Sequence, residues 1–417
     1  MERALLEDLF RAAVAAADPG RAILPHLPEK PRGRTVVVGA GKASAQMAAA
    51  FEKHWGQPVT GLVVTRYGYA TPTSQIEIVE ASHPVPDEAG FLAARRIMSK
   101  VHGLGHDDLV VALISGGGSA LLPSPGPGMS FDDEQEVTRI LLSSGMPISM
   151  MNQVRNELSA IKGGRLAALA APARVATLIV SDVAGDDPAL VASGPTVPIA
   201  GSRAEVRHLL ALHGVNLPPA ATALLASSEN PAPRPDDPRF SQNSVRIVAS
   251  SALSLEAAAA LGEERGVRAH ILSDAVEGEA RDVGQVLAAI SKEIDMRDRP
   301  FRRPALLLSG GETTVTVRGK GKGGRNSEFL LSFALAIEGT DGISALAADT
   351  DGIDGSEDNA GAVADGTTCA RMRAAGIDPR TALANNDAYT AFKAIGDLVV
   401  TGPTGTNVND FRAILVR

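Results

Sequence analysis

Cysteine is all but missing from this chain: Cys369 is the only one in 417 residues. A single thiol excludes an internal disulfide and any multi-thiolate metal cluster, and it suits a reducing cytoplasm. Aromatic residues are scarce too, at 3% with Trp55 the lone tryptophan, which removes the stacking platforms that single-stranded nucleic acid needs. Nor is there an excess of positive charge. The 40 Lys and Arg face 48 Asp and Glu, a formal net charge of −8, which argues against nucleic acid or an anionic membrane as partner. No stretch reaches the ~18 consecutive apolar residues of a membrane span. Residues 1–17, MERALLEDLFRAAVAAA, read as an amphipathic helix carrying Glu2, Arg3, Glu7, Asp8 and Arg11, not as a signal peptide. The expectation is a cytoplasmic protein with neither a nucleic-acid nor a membrane partner.

What is present is an alternation of apolar runs and amphipathic stretches. Hydrophobic residues make up 44%, enough for large cores, and the length calls for two or three domains. Strands are expected at 35–40, 59–65, 76–82, 109–115 and 175–183, with helices at 42–55, 88–102, 131–144 and 150–170. That rhythm predicts an α/β fold with a mainly parallel sheet and helices on both faces. Residues 227–244, SSENPAPRPDDPRFSQNS, carry four prolines and read as a linker, so the domains are set at 1–236 and 237–417. Beyond the linker, strands at 245–251 and 267–274 and helices at 252–265 and 278–294 repeat the rhythm. ALLLSGG is expected to be followed by a second strand in TTVTVR, and 326–337 by its pattern is a strongly apolar helix. One SGG turn in each half suggests two α/β layers facing across a cleft.

Three apolar runs end abruptly in glycine and serine: VVVGAGKAS at 36–44, LVVALISGGGSALL at 109–122 and ALLLSGGETTV at 305–315. Such turns aim backbone N–H groups at one point and suit an anion. In the first, Gly39 and Gly41 precede Lys42, whose charge opposes a helix N-terminus unless an anion lies between them. The dinucleotide fingerprint is incomplete, because Ser44 replaces its third glycine and Arg66 stands near where an acidic residue is expected. A phosphate-binding P-loop fails as well, with Ala43 following the lysine. The second turn offers Ser115, Gly116, Gly117, Gly118 and Ser119 as a cradle for phosphate or carboxylate, the alternative being a tight packing turn. The third adds Glu312, able to bind Mg²⁺ or orient a base. It leads into RGKGKGGRNSE at 318–328, read as a flexible basic loop that is costly to order without a polyanion, with Lys320 and Lys322 mobile and Arg325 fixed by the helix after it. SDVAGDDPA, with Asp187, and AADTDGIDG, with Asp351, put carboxylates at strand ends, where open α/β sheets place their sites. Asn156 and Lys162 either line a cleft or lie on a solvated helix face. No nucleophile elbow is present.

Taken together, VVVGAGKASAQMA, LISGGGSALLPSP, NQVRNELSAIKGGRLA, LIVSDVAGDDPALVASGPTV, LLSGGETTVTVRGKGKGGRNSEFLL, DTDGIDGSEDNAGA and TGPTGTNVND resemble the class II glycerate 2-kinase family, whose C-terminal part is called the MOFRL domain. The resemblance spans about residues 35–410. It implies an N-terminal α/β/α domain, a smaller C-terminal α/β MOFRL domain, and an active site between them. It also implies ATP- and Mg²⁺-dependent phosphorylation of D-glycerate, or a related small hydroxy acid, at the 2-hydroxyl. Members also carry the label hydroxypyruvate reductase of the tartrate pathway, so the rival reading is an NAD(P)H-dependent reductase. Under the kinase reading Lys42, Arg325 and Asp187 are the catalytic candidates: Lys42 on the transferring phosphoryl group, Arg325 on the γ-phosphoryl or the glycerate carboxylate, Asp187 as base. Gly39, Gly41, Ser115 to Ser119 and Lys322 would hold ATP, and Asp351 and Glu312 would hold Mg²⁺. Asp187 and Asp351 are interchangeable at this stage between base and ligand. Oligomeric state stays open, and a homodimer is compatible with the sequence.

Overall fold

The computed structural model describes residues 2–417, which form two compact units. One comprises the chain through Asp18 together with Ala249–Arg417, and the other is Pro19–Val248. Helix α1 (Glu2–Ala16) therefore groups with the C-terminal sequence, where the sequence reading drew a single cut at 236/237. The cause lies in its apolar stripe. Leu5, Leu6, Leu9, Phe10 and Ala13 recur at helical spacing and are buried against Leu255, Leu306, Leu346 and Phe411. Phe10 and Phe411 bring their ring centroids to 5.7 Å.

The unit Pro19–Val248 is built on strands β1 (Thr35–Ala40), β2 (Thr60–Arg66), β3 (Ile76–Ala81), β4 (Leu109–Ser115), β5 (Arg174–Val180) and β6 (Ser244–Ala249). Its helices are α2 (Pro19–Ala22), α3 (Ser44–Trp55), α4 (Glu88–Val101), α5 (Gly118–Leu121), α6 (Phe131–Ser143), α7 (Ile148–Glu157), α8 (Arg165–Ala170), α9 (Arg203–Leu212) and α10 (Pro219–Ala226). Strand order is β3-β2-β1-β4-β5-β6, and β3–β2, β2–β1, β1–β4 and β4–β5 all pair parallel. Every residue of β1 and β4 is buried, which is why both read as unbroken apolar runs. The chain leaves β1 toward β3 on one side and returns at β4 on the other. The carboxyl ends of β1 and β4 thus form the switch point at which open parallel sheets bind ligands.

The helix expected over 150–170 is two helices. Gly163 and Gly164 take φ of 60° and 82°, and their N–H groups donate to Ser193 O (3.0 Å) and Gly194 O (2.7 Å), so the chain breaks between α7 and α8. The proline-rich 227–244 is no free linker either. Asn243 Oδ1 accepts from Val175 N at 2.8 Å, Arg165 donates to Asn230 O at 3.0 Å, and Phe240 packs on the core under the sheet.

The second unit contains β7 (Arg268–Ser273), β8 (Gly278–Glu279), β9 (Ala305–Gly311), β10 (Thr313–Thr314), β11 (Ile343–Asp349), β12 (Gly361–Asp365), β13 (Leu398–Val399) and β14 (Asp410–Val416). Its remaining helices are α11 (Ser251–Glu264), α12 (Ala280–Arg297), α13 (Arg325–Ala336), α14 (Thr368–Ala374), α15 (Pro379–Ala384) and α16 (Ala388–Ala394). The main sheet runs β13-β12-β11-β14-β9-β7. Only β7–β9 is parallel; the other four pairs are antiparallel, so the second layer is mixed. Antiparallel neighbours need no crossover helix, and β11 returns to β12 through a loop alone. Of TTVTVR only Thr313–Thr314 pairs, with β8. Helix α13 is buried from Asn326 to Ala334, with Phe329, Leu330, Leu331 and Phe333 in one core with Leu287, Ile343 and Phe392. No helix of the described residues is long and apolar enough to cross a membrane.

Leu9 is fully buried in the α1 interface. Leu9→Ala is expected to cost about 2–5 kcal/mol. Hydrogen exchange should show the lost protection in β9, β11 and β14; loss confined to β1–β5 would contradict this packing.

Candidate active site

At the switch point two turns are locked together by a serine. Ser115, the last residue of β4, accepts from Ala43 N at 3.0 Å and shares a hydrogen bond with Ser44 Oγ at 3.2 Å. Lys42 N donates to Gly116 O at 2.9 Å. The turns approach so closely that a Cβ on Gly41 would overlap Ser115 Oγ, and one on Gly39 would overlap Leu113 O. Gly41, at φ 140°, also holds a backbone conformation few other residues adopt. The structure therefore brings Gly39, Gly41, Lys42, Ser115 and Gly116–Gly118 to one place at the start of α3. Ser119 follows on α5, its Oγ 2.8 Å from Ser193 Oγ.

Two further groups stand here that the sequence reading did not single out. His83, just after β3, lies against Gly117, where an added Cβ would come within 3.1 Å of its Nε2 and 3.4 Å of Lys42 Cγ. Burial, with the Lys42 and Arg66 charges beside it, lowers the His83 imidazole to about 4, so it is neutral near pH 7. Asp182, beyond β5, packs so tightly on Gly116 that a Cβ there would overlap its carboxylate. The only signal for either was position at a strand end, shared with many residues. Asp187, the sequence candidate for the base, lies in the exposed loop after β5 and accepts from Ala189 N at 2.9 Å.

Arg325 organises the second unit's polar cluster. Its Nε donates to Asp410 (2.7 Å), Nη1 to Glu312 (2.9 Å) and Nη2 to Asp349 (2.7 Å). Burial opposes its charge, yet Asp410, Asp349 and Glu312 raise it above the ordinary arginine value. Asp410 also accepts from Asn326 Nδ2 at 2.7 Å and from the fully buried Arg412 at 2.5 Å. Burial and the neighbouring Asp351 push Asp349 well above the usual carboxylate range. Asp354 closes the N-terminus of α13, accepting from Asn326 N (2.9 Å) and Ser327 N (2.8 Å). The sequence reading singled out neither Asp349, the last residue of β11, nor Asp410, the first of β14, although both lie within motifs it quoted.

The basic loop 318–324 is tied along its backbone to residues 385–387. Arg318 N and Gly319 N donate to Asn386 Oδ1 at 2.8 and 3.0 Å, Lys320 N to Asn385 Oδ1 at 3.1 Å, and Lys322 N to Asp387 Oδ1 at 2.9 Å. Gly319 and Gly321 sit so near Asn385 and Asp387 that a Cβ on either would overlap them. These glycines permit close approach, where the sequence suggested flexibility. Lys322 itself is exposed and pairs with Glu357 at 3.2 Å.

Among the described residues no group of three or more His, Cys, Asp or Glu side chains is arranged to hold a metal ion. Asp349, Asp410 and Glu312 surround a guanidinium, so Glu312 would have to leave Arg325 to bind Mg²⁺. One carboxylate oxygen of Asp351 accepts from Ile353 N at 2.8 Å. A single carboxylate fits Mg²⁺ in nucleotide sites, which takes one or two carboxylates alongside phosphates and waters.

His83 provides a test of this electrostatic arrangement. Its folded value lies below the ordinary 6.5, so the stability it contributes is intact above pH 6.5 and lost as pH falls toward about 4. NMR titration should place the His83 midpoint near pH 4, rising in Lys42→Met; a midpoint near 6.5, unmoved by that change, would contradict the arrangement.

Comparison with known proteins accounts for both halves of this chain. Residues 5–226 match the domain of unknown function DUF4147, and residues 305–410 match the MOFRL family. A protein of Agrobacterium vitis that bears the provisional name hydroxypyruvate reductase is 54% identical over 99% of this chain and 94% of its own. The D-glycerate 2-kinase of Thermotoga maritima is 39% identical over 97% of this chain and 95% of its own. A crystal structure of glycerate kinase from Thermotoga maritima matches the fold with a TM-score of 0.91, at 39% identity and covering 99% of each chain. This chain belongs to the class II glycerate 2-kinase family, with a DUF4147 region followed by a MOFRL domain.

Proposed function

We propose that the protein transfers the γ-phosphoryl group of ATP to D-glycerate and releases 2-phosphoglycerate. The observation that carries this reading is the turn pair at the β1/β4 switch point, with Lys42 after Gly41, bonded through its N–H to Gly116 O and beside a neutral His83, in a chain whose relatives include named glycerate kinases. In phosphoryl transfer the protein mainly positions groups and neutralises charge. Lys42 supplies a cation to the phosphate oxygens at the start of α3, and the backbone at Gly39, Gly41 and Gly116–Gly118 admits them closely. A neutral His83 adds no second positive charge and leaves a ring nitrogen free to donate or accept.

Arg325 is held by three carboxylates, so its guanidinium is fixed in place before an anionic group arrives. Of these partners Glu312 is the exposed one, and exchanging it for a phosphate or carboxylate leaves Asp349 and Asp410 to keep the arginine in position. Lys322, exposed on the loop 318–324, is assigned to the nucleotide phosphates for its charge. The hydroxyl proton goes to Asp187, whose second carboxylate oxygen is unbonded. Mg²⁺, held by Asp351 with Glu312 as second ligand, would offset charge on the β- and γ-phosphates. Cys369 is unpaired and buried, in keeping with a cytoplasmic site of action.

A second reading, NAD(P)H-dependent reduction of hydroxypyruvate, draws on the provisional name of the Agrobacterium relative. The turn does not favour it, since Ser44 stands where a dinucleotide fold has its third glycine. A coupled ADP assay with ATP, Mg²⁺ and D-glycerate, with the product assigned by phosphorus NMR, separates the two. ADP and 2-phosphoglycerate are expected; nicotinamide oxidation by hydroxypyruvate without ADP formation would replace the kinase reading. Lys42→Ala and Arg325→Ala should each lower turnover by about 10²–10³.

A further inference from the structure

Ser119 is linked to a short chain of hydrogen bonds in which one set of proton directions satisfies every contact. The chain begins at Arg155, which can only donate. Its Nη1 lies 3.2 Å from Asn152 Oδ1, so the atom of the Asn152 amide facing it must be the carbonyl oxygen. That same oxygen lies 3.3 Å from Ser193 Oγ and can only accept, which commits the single Ser193 proton to Asn152. Ser193 Oγ is in turn 2.8 Å from Ser119 Oγ. With its own proton spent, Ser193 accepts there, and Ser119 donates inward. The partly exposed Ser119 oxygen is left with lone pairs and no proton to offer.

The backbone around Ser193 is built to keep this direction. Ala192 and Ser193 have φ of 52° and 59°, left-handed values uncommon for residues with a side chain. Gly163 N on Ser193 O (3.0 Å), Gly164 N on Gly194 O (2.7 Å) and Leu166 N on Pro195 O (3.0 Å) clamp the segment. Ser193 is wholly buried and Asn152 nearly so. Gly118 leaves no room for a side chain between Ala40 and Ala192, which seats α5 directly on this segment.

A hydroxyl in that state repels phosphate and carboxylate oxygens and attracts an O–H. We infer that Ser119, resting on the kinase reading above, receives the hydroxyl of the acid substrate that is not phosphorylated, the 3-hydroxyl of D-glycerate. Ser193 and Asn152 are its positioning residues. The chain ends at an amide oxygen and a guanidinium, neither of which takes up a proton, so it orients a hydroxyl and cannot serve as the base. Ser119 thereby sets a preference for a dihydroxy acid over a monohydroxy one. The sequence reading assigned Ser119 to the phosphate cradle; its side chain is assigned here to the acid.

The test is calorimetric titration of D-glycerate, D-lactate and a non-hydrolysable ATP analogue into the wild-type chain, Ser119→Ala and Ser193→Ala. D-lactate lacks the 3-hydroxyl. Ser119→Ala should weaken D-glycerate about tenfold while leaving D-lactate and the nucleotide within about twofold, as expected for one lost hydrogen bond. Ser193→Ala, which frees the Ser119 proton, should shift the glycerate-to-lactate ratio in the same direction; a merely structural role would weaken all three ligands alike. Equal losses for the two acids, a loss for the nucleotide alone, or no change in either variant would overturn the assignment. The ADP assay on the wild-type chain reports separately on the kinase reading. If the wild-type chain binds neither acid, both fall together.

Discussion

The hydroxyl of Ser115 is the constraint on which the N-terminal site depends. It ties the turn after β1 to the end of β4 by accepting from Ala43 N, while Lys42 N closes the junction on Gly116 O. Parallel strands β1 and β4 bring these turns side by side, but only glycine at 39, 41 and 118 lets them meet without overlap. The consequence is a lysine held where a long helix starts, beside an imidazole that burial keeps neutral. Packing and electrostatics are linked at this single junction: the glycines permit the approach, the approach fixes Lys42, and the lysine charge lowers His83.

The second unit reaches a comparable rigidity by a different route. Arg325 and Arg412 share Asp410, and Asp349 and Glu312 complete the shell around Arg325. Buried charges are tolerated only when paired, and removal of one partner leaves another uncompensated. Such a network suits a residue that has to present a cation in one orientation. It also explains why the carboxylates at these strand ends are poor candidates for an all-protein metal cage: their negative charge is already directed at guanidinium groups.

Much of the first unit was legible in the sequence because its strands are buried on both faces. Residues 35–40, 109–115 and 175–180 read as apolar runs for the same reason that they sit centrally in a parallel sheet. Strand direction in the second sheet was not legible. An apolar run such as Ile343–Asp349 looks the same whether its neighbours run with it or against it. The loop 318–324 was misread as flexible since its partners, Asn385 to Asp387, lie far along the chain and no local pattern announces them. The break between α7 and α8 had a visible cause, the Gly163–Gly164 pair, that the helical periodicity outweighed. Among the candidate site residues, Lys42 and Arg325 stood out through glycine-rich surroundings. His83, Asp182, Asp349 and Asp410 did not, because burial and proximity gave them their character and neither is written in local sequence.

The central proposal is that the turn pair at the β1/β4 switch point receives the nucleotide phosphates as it stands. Structure determination with a bound non-hydrolysable ATP analogue tests it most directly. The account predicts a phosphate oxygen within hydrogen-bond distance of Lys42 Nζ, with the backbone of 41–44 and 115–119 unmoved. Phosphates bound away from Lys42, or a turn that refolds to receive them, would contradict it.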